Sequence, residues 1–105
     1  MASGTIQRGV TVYRTRVHGT TDSTGVLSTG IVAANYTIIA CLAYRGQSGS
    51  YTGFYNLAVS GISSNSADAT WSVTAFQNNA NATALANQLI YFDVYYIENN
   101  SVEVT

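Results

Sequence analysis

Apolar and polar residues alternate along most of this chain, and turn-forming residues separate the alternating runs. Alternation with a period of two predicts β-strands with one buried face, whereas the helical period of 3.6 is almost absent. The clearest run spans residues 88–98, where Ile90, Phe92 and Val94 share one face. The other predicted strands are 6–18, as one long strand or two collinear ones, 26–27 with 31–33, 36–44, 51–60 and 71–77.

The segments between these runs are rich in Gly, Ser, Thr and Asn, which predicts loops at 19–25, 61–70 and 78–83 and a linker at 45–50. We expect one helical turn at 82–87, a turn at 99–101 and a short edge strand at 102–104. Six or so short strands with frequent turns predict an all-β chain that folds as a single antiparallel β-sandwich. Within it we distinguish an N-terminal strand or connector, 1–18, from the sandwich proper, 19–105.

Two of the predicted strands have no polar face. Strand 36–44 is apolar on both sides, which is typical of a central strand covered on two sides, and 88–98 is apolar or aromatic on both sides. The chain also lacks Pro and Lys, the residues that commonly protect sheet edges. In a domain this small we expect another subunit to provide the second cover, so the pattern predicts an oligomer.

Charge is scarce, and this excludes several classes of partner. Charged residues make up 9% of the chain and the formal net charge is −1, whereas soluble domains contain about 25% charged residues. Four scattered arginines cannot neutralise a phosphate backbone, so we expect no nucleic-acid partner. The longest apolar stretch, 36–44, is too short to insert into a membrane as a helix, and no signal-peptide pattern is present. Ser, Thr and Asn, 33 of 105 residues, supply the polarity instead.

The sequence contains little that points to catalysis. Cys41, between Ala40 and Leu42, is expected to be a small buried hydrophobe, and no metal-ligand spacing is present. His18 is the only histidine, and a hydrolase built on His18 and Asp22 would need a nucleophile motif that the chain lacks. We therefore predict a protein that is not an enzyme and has no cofactor and no metal site.

Two groups of residues are candidates for binding. The first is the row Arg14, Arg16 and His18 on one strand face, which either contacts an anion or acidic sugar or pairs with carboxylates within or between subunits. The second group lies in or beside predicted loops and comprises Asp22, Tyr44, Arg45, Tyr51, Asp68, Asn78, Asn79 and Asn81. Aromatic rings near amides and carboxylates are typical of sugar recognition, and core or interface packing is the alternative.

Further aromatic residues alternate on the strand 88–98, where Tyr91, Asp93 and Tyr95 share one face. They have the same two interpretations, a sugar-binding surface or packing against a neighbour. For Trp71, Phe92 and Tyr96 we favour core packing.

Four stretches together resemble the C-terminal knob of bacteriophage or prophage tail fibres: Asp-Ser-Thr-Gly at 22–25, Ala-Tyr-Arg at 43–45, Trp-Ser-Val-Thr-Ala-Phe at 71–76, and the strand that closes at 87–97. The last two are also similar to H-type lectin domains, six-stranded sandwiches that form trimers and bind N-acetylgalactosamine-type sugars. The resemblance extends over residues 20–98. Residues 6–18 have no counterpart in this resemblance, and in fibre proteins an N-terminal segment of this kind would join the knob to a shaft.

This resemblance implies a homotrimeric receptor-binding knob that recognises a cell-surface glycan without catalysis. Its location would be the virion, at the extracellular tip of a tail fibre. The alternative is a structural or assembly module, such as a capping or decoration domain of a virion or fibre, with no ligand.

Overall fold

The computed structural model describes residues 10–44, 51, 53–62 and 66–101. Six strands form in these residues, and a 3₁₀ turn follows at Asn99–Ser101. The strands are β1 (Tyr13–Thr20), β2 (Val26–Val32), β3 (Tyr36–Tyr44), β4 (Tyr55–Ile62), β5 (Thr70–Gln77) and β6 (Leu89–Glu98). They pair antiparallel in two three-stranded sheets, β1-β6-β3 and β2-β5-β4. The predicted all-β, six-stranded antiparallel architecture is confirmed.

The core lies between the two middle strands. Ile90, Phe92 and Val94 of β6 and Val73 and Ala75 of β5 are each at most 1% exposed. Alternation places these side chains on the inner faces, and burying each of the larger ones stabilises the fold by roughly 1.5–3 kcal/mol. The predictions that Ile90, Phe92 and Val94 share one face and that Phe92 packs in the core are therefore correct.

One tyrosine links the two sheets. The Tyr55 hydroxyl of β4 lies 2.6 Å from the carbonyl oxygens of both Tyr44 and Tyr91, which belong to the opposite sheet. The ring is buried, and burial raises the pKa of the Tyr55 hydroxyl. The hydroxyl can donate to only one carbonyl at a time, so the two acceptors share one proton.

The connections lie at two opposite ends of the sandwich. The loop end contains the β1–β2 loop, the β5–β6 loop and Tyr51, held together by backbone hydrogen bonds from Asn87 to Asp22 and from Tyr51 to Leu89. The terminal end contains the β2–β3 turn, residues 66–69 and the 3₁₀ turn. There β1 begins and β6 ends, since Tyr13 pairs with Tyr96.

Two strand predictions need correction in their bounds. The first strand was expected at 6–18, but β1 begins at Tyr13 and continues to Thr20 because Gly19 and Thr20 still pair with β6. The boundary drawn between residues 18 and 19 thus falls inside a strand, and residues 6–9 lie outside the described residues. The second strand is one element rather than two pieces, because Gly30, with φ of 76°, accommodates an irregularity between Ser28 and Val32.

The expectation that 36–44 is a central strand is wrong, although its bounds are correct. β3 is an edge strand, and β6 occupies the middle of the sheet. Ile39 and Leu42, on the outer side of β3, are 51% and 55% exposed. Within one chain, nothing in the described residues covers that face.

Smaller differences concern the connections. β4 begins at Tyr55 instead of residue 51 and ends at Ile62, inside the predicted loop 61–70. The helical turn expected at 82–87 is absent: Ala84 forms an isolated bridge with Phe76, and Ala82 and Asn87 have positive φ. The linker at 45–50 and the strand expected at 102–104 lie outside the described residues.

Candidate functional site

The solvent-facing side of the β1-β6-β3 sheet, here called the sheet face, carries an ordered set of polar and aromatic side chains. Residues directly opposite each other in antiparallel strands project to the same side, so the register defines which side chains meet. Three rows cross the sheet in the order β1, β6, β3: His18–Tyr91–Tyr44, Arg16–Asp93–Leu42 and Arg14–Tyr95–Ala40. The first row lies nearest the loop end.

Arg16, Tyr44 and Asp93 form a connected cluster on this face. Arg16 donates from Nη2 to the Tyr44 hydroxyl at 2.7 Å, and the Tyr44 hydroxyl donates to Asp93 Oδ2. Arg16 Nε lies 3.7 Å from Asp93 Oδ1, and its guanidinium lies 4.3 Å from the Tyr44 ring centroid. The hydrogen bond to Tyr44 and, after it, the Asp93 carboxylate raise the pKa of Arg16.

The cluster explains how a carboxylate is buried on an outer face. Asp93 is only 5% exposed although it projects away from the core. A buried carboxylate is costly unless it is paired and hydrogen-bonded, and Arg16 and Tyr44 supply both. Three side chains from three different strands are consequently held in one arrangement at the centre of the face.

The other members of the arginine row are less constrained. His18 stacks on Tyr91, with ring centroids 5.2 Å apart and planes 21° from parallel. Arg14 is exposed and forms no side-chain hydrogen bond or ion pair with any residue that the structure describes. Of the two interpretations of the row, pairing with a carboxylate within the chain holds for Arg16, whereas Arg14 has no such pair among the described residues.

Most of the predicted loop residues lie at the loop end. Those placed there are Asp22, Tyr44, Tyr51, Asn78, Asn79 and Asn81. Asp68 is separated from them, because it lies between β4 and β5 at the terminal end. Arg45 lies outside the described residues.

Several of these loop residues hold the loops themselves. Asp22 Oδ1 accepts hydrogen bonds from the amide and hydroxyl of Thr24, both at 2.8 Å, and from the Val26 amide at 3.0 Å. These bonds, the one from Val26 foremost, lower the pKa of Asp22. Asn79 accepts from the Thr83 amide at 3.3 Å, and the Tyr51 ring packs against Tyr55.

A shallow depression of about 410 Å³ lies at the terminal end, lined by Ala34, Asn35, Tyr36, Glu98, Asn99 and Asn100. Both polar atoms of the Asn99 side chain form hydrogen bonds there. Its amide donates to the carbonyls of Ala33 and Ala34, and its Oδ1 accepts from Thr37. Glu98 accepts from the Tyr13 hydroxyl at 3.0 Å, which raises the pKa of Tyr13. The depression is therefore built mainly from groups that fix the turn.

Sequence reasoning identified the arginine row and the face of Tyr91, Asp93 and Tyr95 separately, but it did not bring them together. The available signal was the alternation of cations on one strand and of a carboxylate with tyrosines on another. Strand order was missing, and only that order places Asp93 opposite Arg16.

Neither a metal site nor a membrane-spanning helix is found among the described residues. No group of three or more His, Cys, Asp and Glu side chains there could hold a metal ion. The same residues include no helix with the length and apolar character needed to cross a membrane. Cys41 packs partly buried against the core, and burial raises the pKa of its thiol.

The fold defines the chain as an all-β antiparallel sandwich with a polar and aromatic sheet face. Comparison of the chain with protein-family models, with curated proteins and with solved structures gave no match. Support for a function therefore comes from the residues and their geometry.

Proposed function

We propose that this protein binds a cell-surface carbohydrate without altering it chemically, as a receptor-binding knob of the tail-fibre type. The observation that carries the proposal is the cluster of Arg16, Tyr44 and Asp93 on the exposed sheet face, beside the Tyr91 ring. Tyrosine rings stack on the C–H faces of sugars, and the exposed guanidinium of Arg16 donates hydrogen bonds to sugar hydroxyls, while the buried Asp93 holds Arg16 and Tyr44 in place. Groups already held in place lose less entropy when a ligand binds.

The loop end supports the same function. Asn78 and Asn81 are exposed, and they lie at the end of the sandwich to which the His18–Tyr91–Tyr44 row is nearest. β1 begins and β6 ends at the opposite end. The exposed amides and the first row of the sheet face therefore point away from the place where the chain enters and leaves the sandwich.

The surroundings of His18 favour binding over catalysis. A hydrolase would need a nucleophile and a carboxylate hydrogen-bonded to the imidazole. In the part of the chain that the structure describes, the His18 ring instead stacks on Tyr91, and Asp22 Oδ1 is engaged by Thr24 and Val26.

The proposal includes a homotrimer at the tip of a virion fibre. Ile39 and Leu42 of β3 are exposed on the sheet face, on the side away from the arginine row. Packing of these side chains against a neighbouring subunit would cover the β3 edge of the face and leave the arginine row on β1 open to a ligand. Three weak sites on one assembly then supply avidity for a surface that displays many copies of a glycan.

A glycan array probed with the intact protein, followed by calorimetry on the best ligand, tests this function. Tyr91→Ala is expected to weaken binding roughly tenfold, because it removes a ring from the sheet face. Phe76→Ala, which removes a ring from the outer side of the other sheet, is the control and should leave affinity unchanged. Failure of the assembled protein to bind any saccharide would remove the proposal.

A second candidate is an assembly module without a ligand. The exposed Ile39 and Leu42 favour it, because they lie on the same face as the polar cluster. Hydroxyl-radical footprinting of the assembled protein separates the two candidates. Protection of both Tyr91 and Tyr95 in the assembly indicates a buried subunit interface, whereas reactive rings indicate an open binding face.

A further inference from the structure

Charge is distributed unevenly over the described residues. Both arginines that the structure describes, Arg14 and Arg16, lie on the sheet face beside His18. The described carboxylates outside this face are Asp22, Asp68 and Glu98. The face therefore carries excess positive charge in a protein whose formal net charge is −1.

The two arginines differ in the hydrogen-bond and ion-pair partners that they have among the described residues. Arg16 is compensated by Asp93, and its guanidinium is held by Tyr44 while its side chain stays 55% exposed. Arg14 is exposed, and no described residue forms an ion pair or side-chain hydrogen bond with it. Among the described residues, the charge of this face that has no counter-ion therefore lies at Arg14.

An aromatic ring stands beside that charge. Tyr95 of β6 is directly opposite Arg14, whereas Tyr91 lies four residues further along the same side of the strand, beyond Asp93. Four residues along a strand correspond to about 13 Å, so the ring next to Arg14 is that of Tyr95. The face thus places a guanidinium that no described residue pairs beside one ring suited to the C–H surface of a sugar.

Resting on the proposed carbohydrate function, we infer that the ligand is an acidic saccharide whose carboxylate is bound by Arg14, with the sugar ring against Tyr95. A guanidinium matches a carboxylate with two parallel hydrogen bonds, which a neutral sugar cannot accept in the same way. Arg16 lies one row further along the face, where Tyr44 and Asp93 fix its position. Asp93 already balances its charge, so Arg16 contributes hydrogen-bond donors to the ligand. The site therefore selects a charged sugar over its neutral counterpart.

Calorimetry with matched ligands tests this inference. The probes are oligosaccharides of galacturonic acid and their methyl esters, together with sialyllactose and lactose, each titrated into the intact protein. The carboxylated member of each pair should bind more tightly, and added salt should reduce that advantage because the contact is electrostatic. Arg14→Gln should weaken binding of the acidic members roughly three- to fivefold and leave the neutral members unaffected.

Ala58→Glu is the matched control, since it makes the same change in net charge on the outer side of the other sheet. It should leave the affinity for acidic sugars unchanged, and light scattering should give Arg14→Gln the mass of the parent protein. Equal losses in the two variants, equal binding of acidic and neutral sugars, or a smaller mass for Arg14→Gln would each overturn the inference. Binding of neutral sugars alone overturns it while the proposed function stands, whereas no binding to any glycan removes both.

Discussion

At the scale of single residues, the β1–β2 loop shows how strictly a short turn can specify its sequence. Asp22 collects three hydrogen bonds through one carboxylate oxygen, and Gly25 follows with a φ of 83°. A Cβ on Gly25 would lie 2.7 Å from the Ala75 carbonyl oxygen. The turn therefore requires both a side-chain acceptor and a residue without a side chain, which the Asp-Ser-Thr-Gly sequence provides.

Gly25→Ala and Gly30→Ala separate backbone strain from steric conflict. Both glycines have positive φ, but a Cβ on Gly30 meets nothing within 4 Å. We expect Gly30→Ala to lower the free energy of unfolding by about 1 kcal/mol, and Gly25→Ala to lower it by about 3 kcal/mol. Urea denaturation of the two variants measures the difference. Equal losses would mean that the steric conflict with the Ala75 carbonyl oxygen does not contribute to the change in stability.

At the scale of elements, the sheet face depends on one cross-strand pair between β1 and β6. Asp93 is buried beneath Arg16 and Tyr44, so its charge and that of Arg16 stabilise each other. A double-mutant cycle of Arg16→Gln with Asp93→Asn is expected to give a stabilising coupling that decreases with salt. The cycle of Arg14→Gln with Asp93→Asn is the control, and its coupling should be smaller than roughly 0.5 kcal/mol. Similar couplings in the two cycles would contradict the pairing.

How far elements can be predicted from the sequence depends on how strongly one face is buried. β5 and β6 alternate between core and surface, and their bounds were predicted to within one residue. β3 was placed correctly along the chain but in the wrong position in its sheet, because an apolar outer face looks the same whether a strand or another molecule covers it. β2 was divided because the irregularity around Gly30 interrupts the alternation, although the strand pairs with β5 again at Val32.

At the scale of the whole molecule, the site could be predicted only in parts. Loop composition identified Asn78, Asn79 and Asn81, and their common end follows from the order of strands. Asp68 has the same local character, yet it lies at the opposite end of the sandwich, because the strand β5 separates it from Asn78 along the chain. Contacts such as Arg16 with Asp93 join residues far apart in the chain, and no local pattern encodes them.

The oligomer is tested by light scattering on the intact protein, with an expected mass of about three protomers. Leu42→Thr should shift the protein toward smaller species, because it removes an exposed apolar side chain from the sheet face while keeping a residue that favours strands. Val26→Thr, on the outer side of the other sheet, is the control and should not change the mass. A monomeric parent protein, or equal effects of the two substitutions, would exclude an interface at Leu42.

The pairing of the first strand with the last has a mechanical consequence. β1 and β6 are antiparallel neighbours, and β1 begins where β6 ends. A force that pulls the start of β1 away from the end of β6 acts perpendicular to the two strands. It therefore breaks the hydrogen bonds between them one after another instead of all at once. β1 would peel away from Tyr13 towards Thr20 and carry Arg14 with it at the outset, while the core between β5 and β6 is still closed. Tension on the protein would thus release a ligand held by Arg14 before the sandwich unfolds.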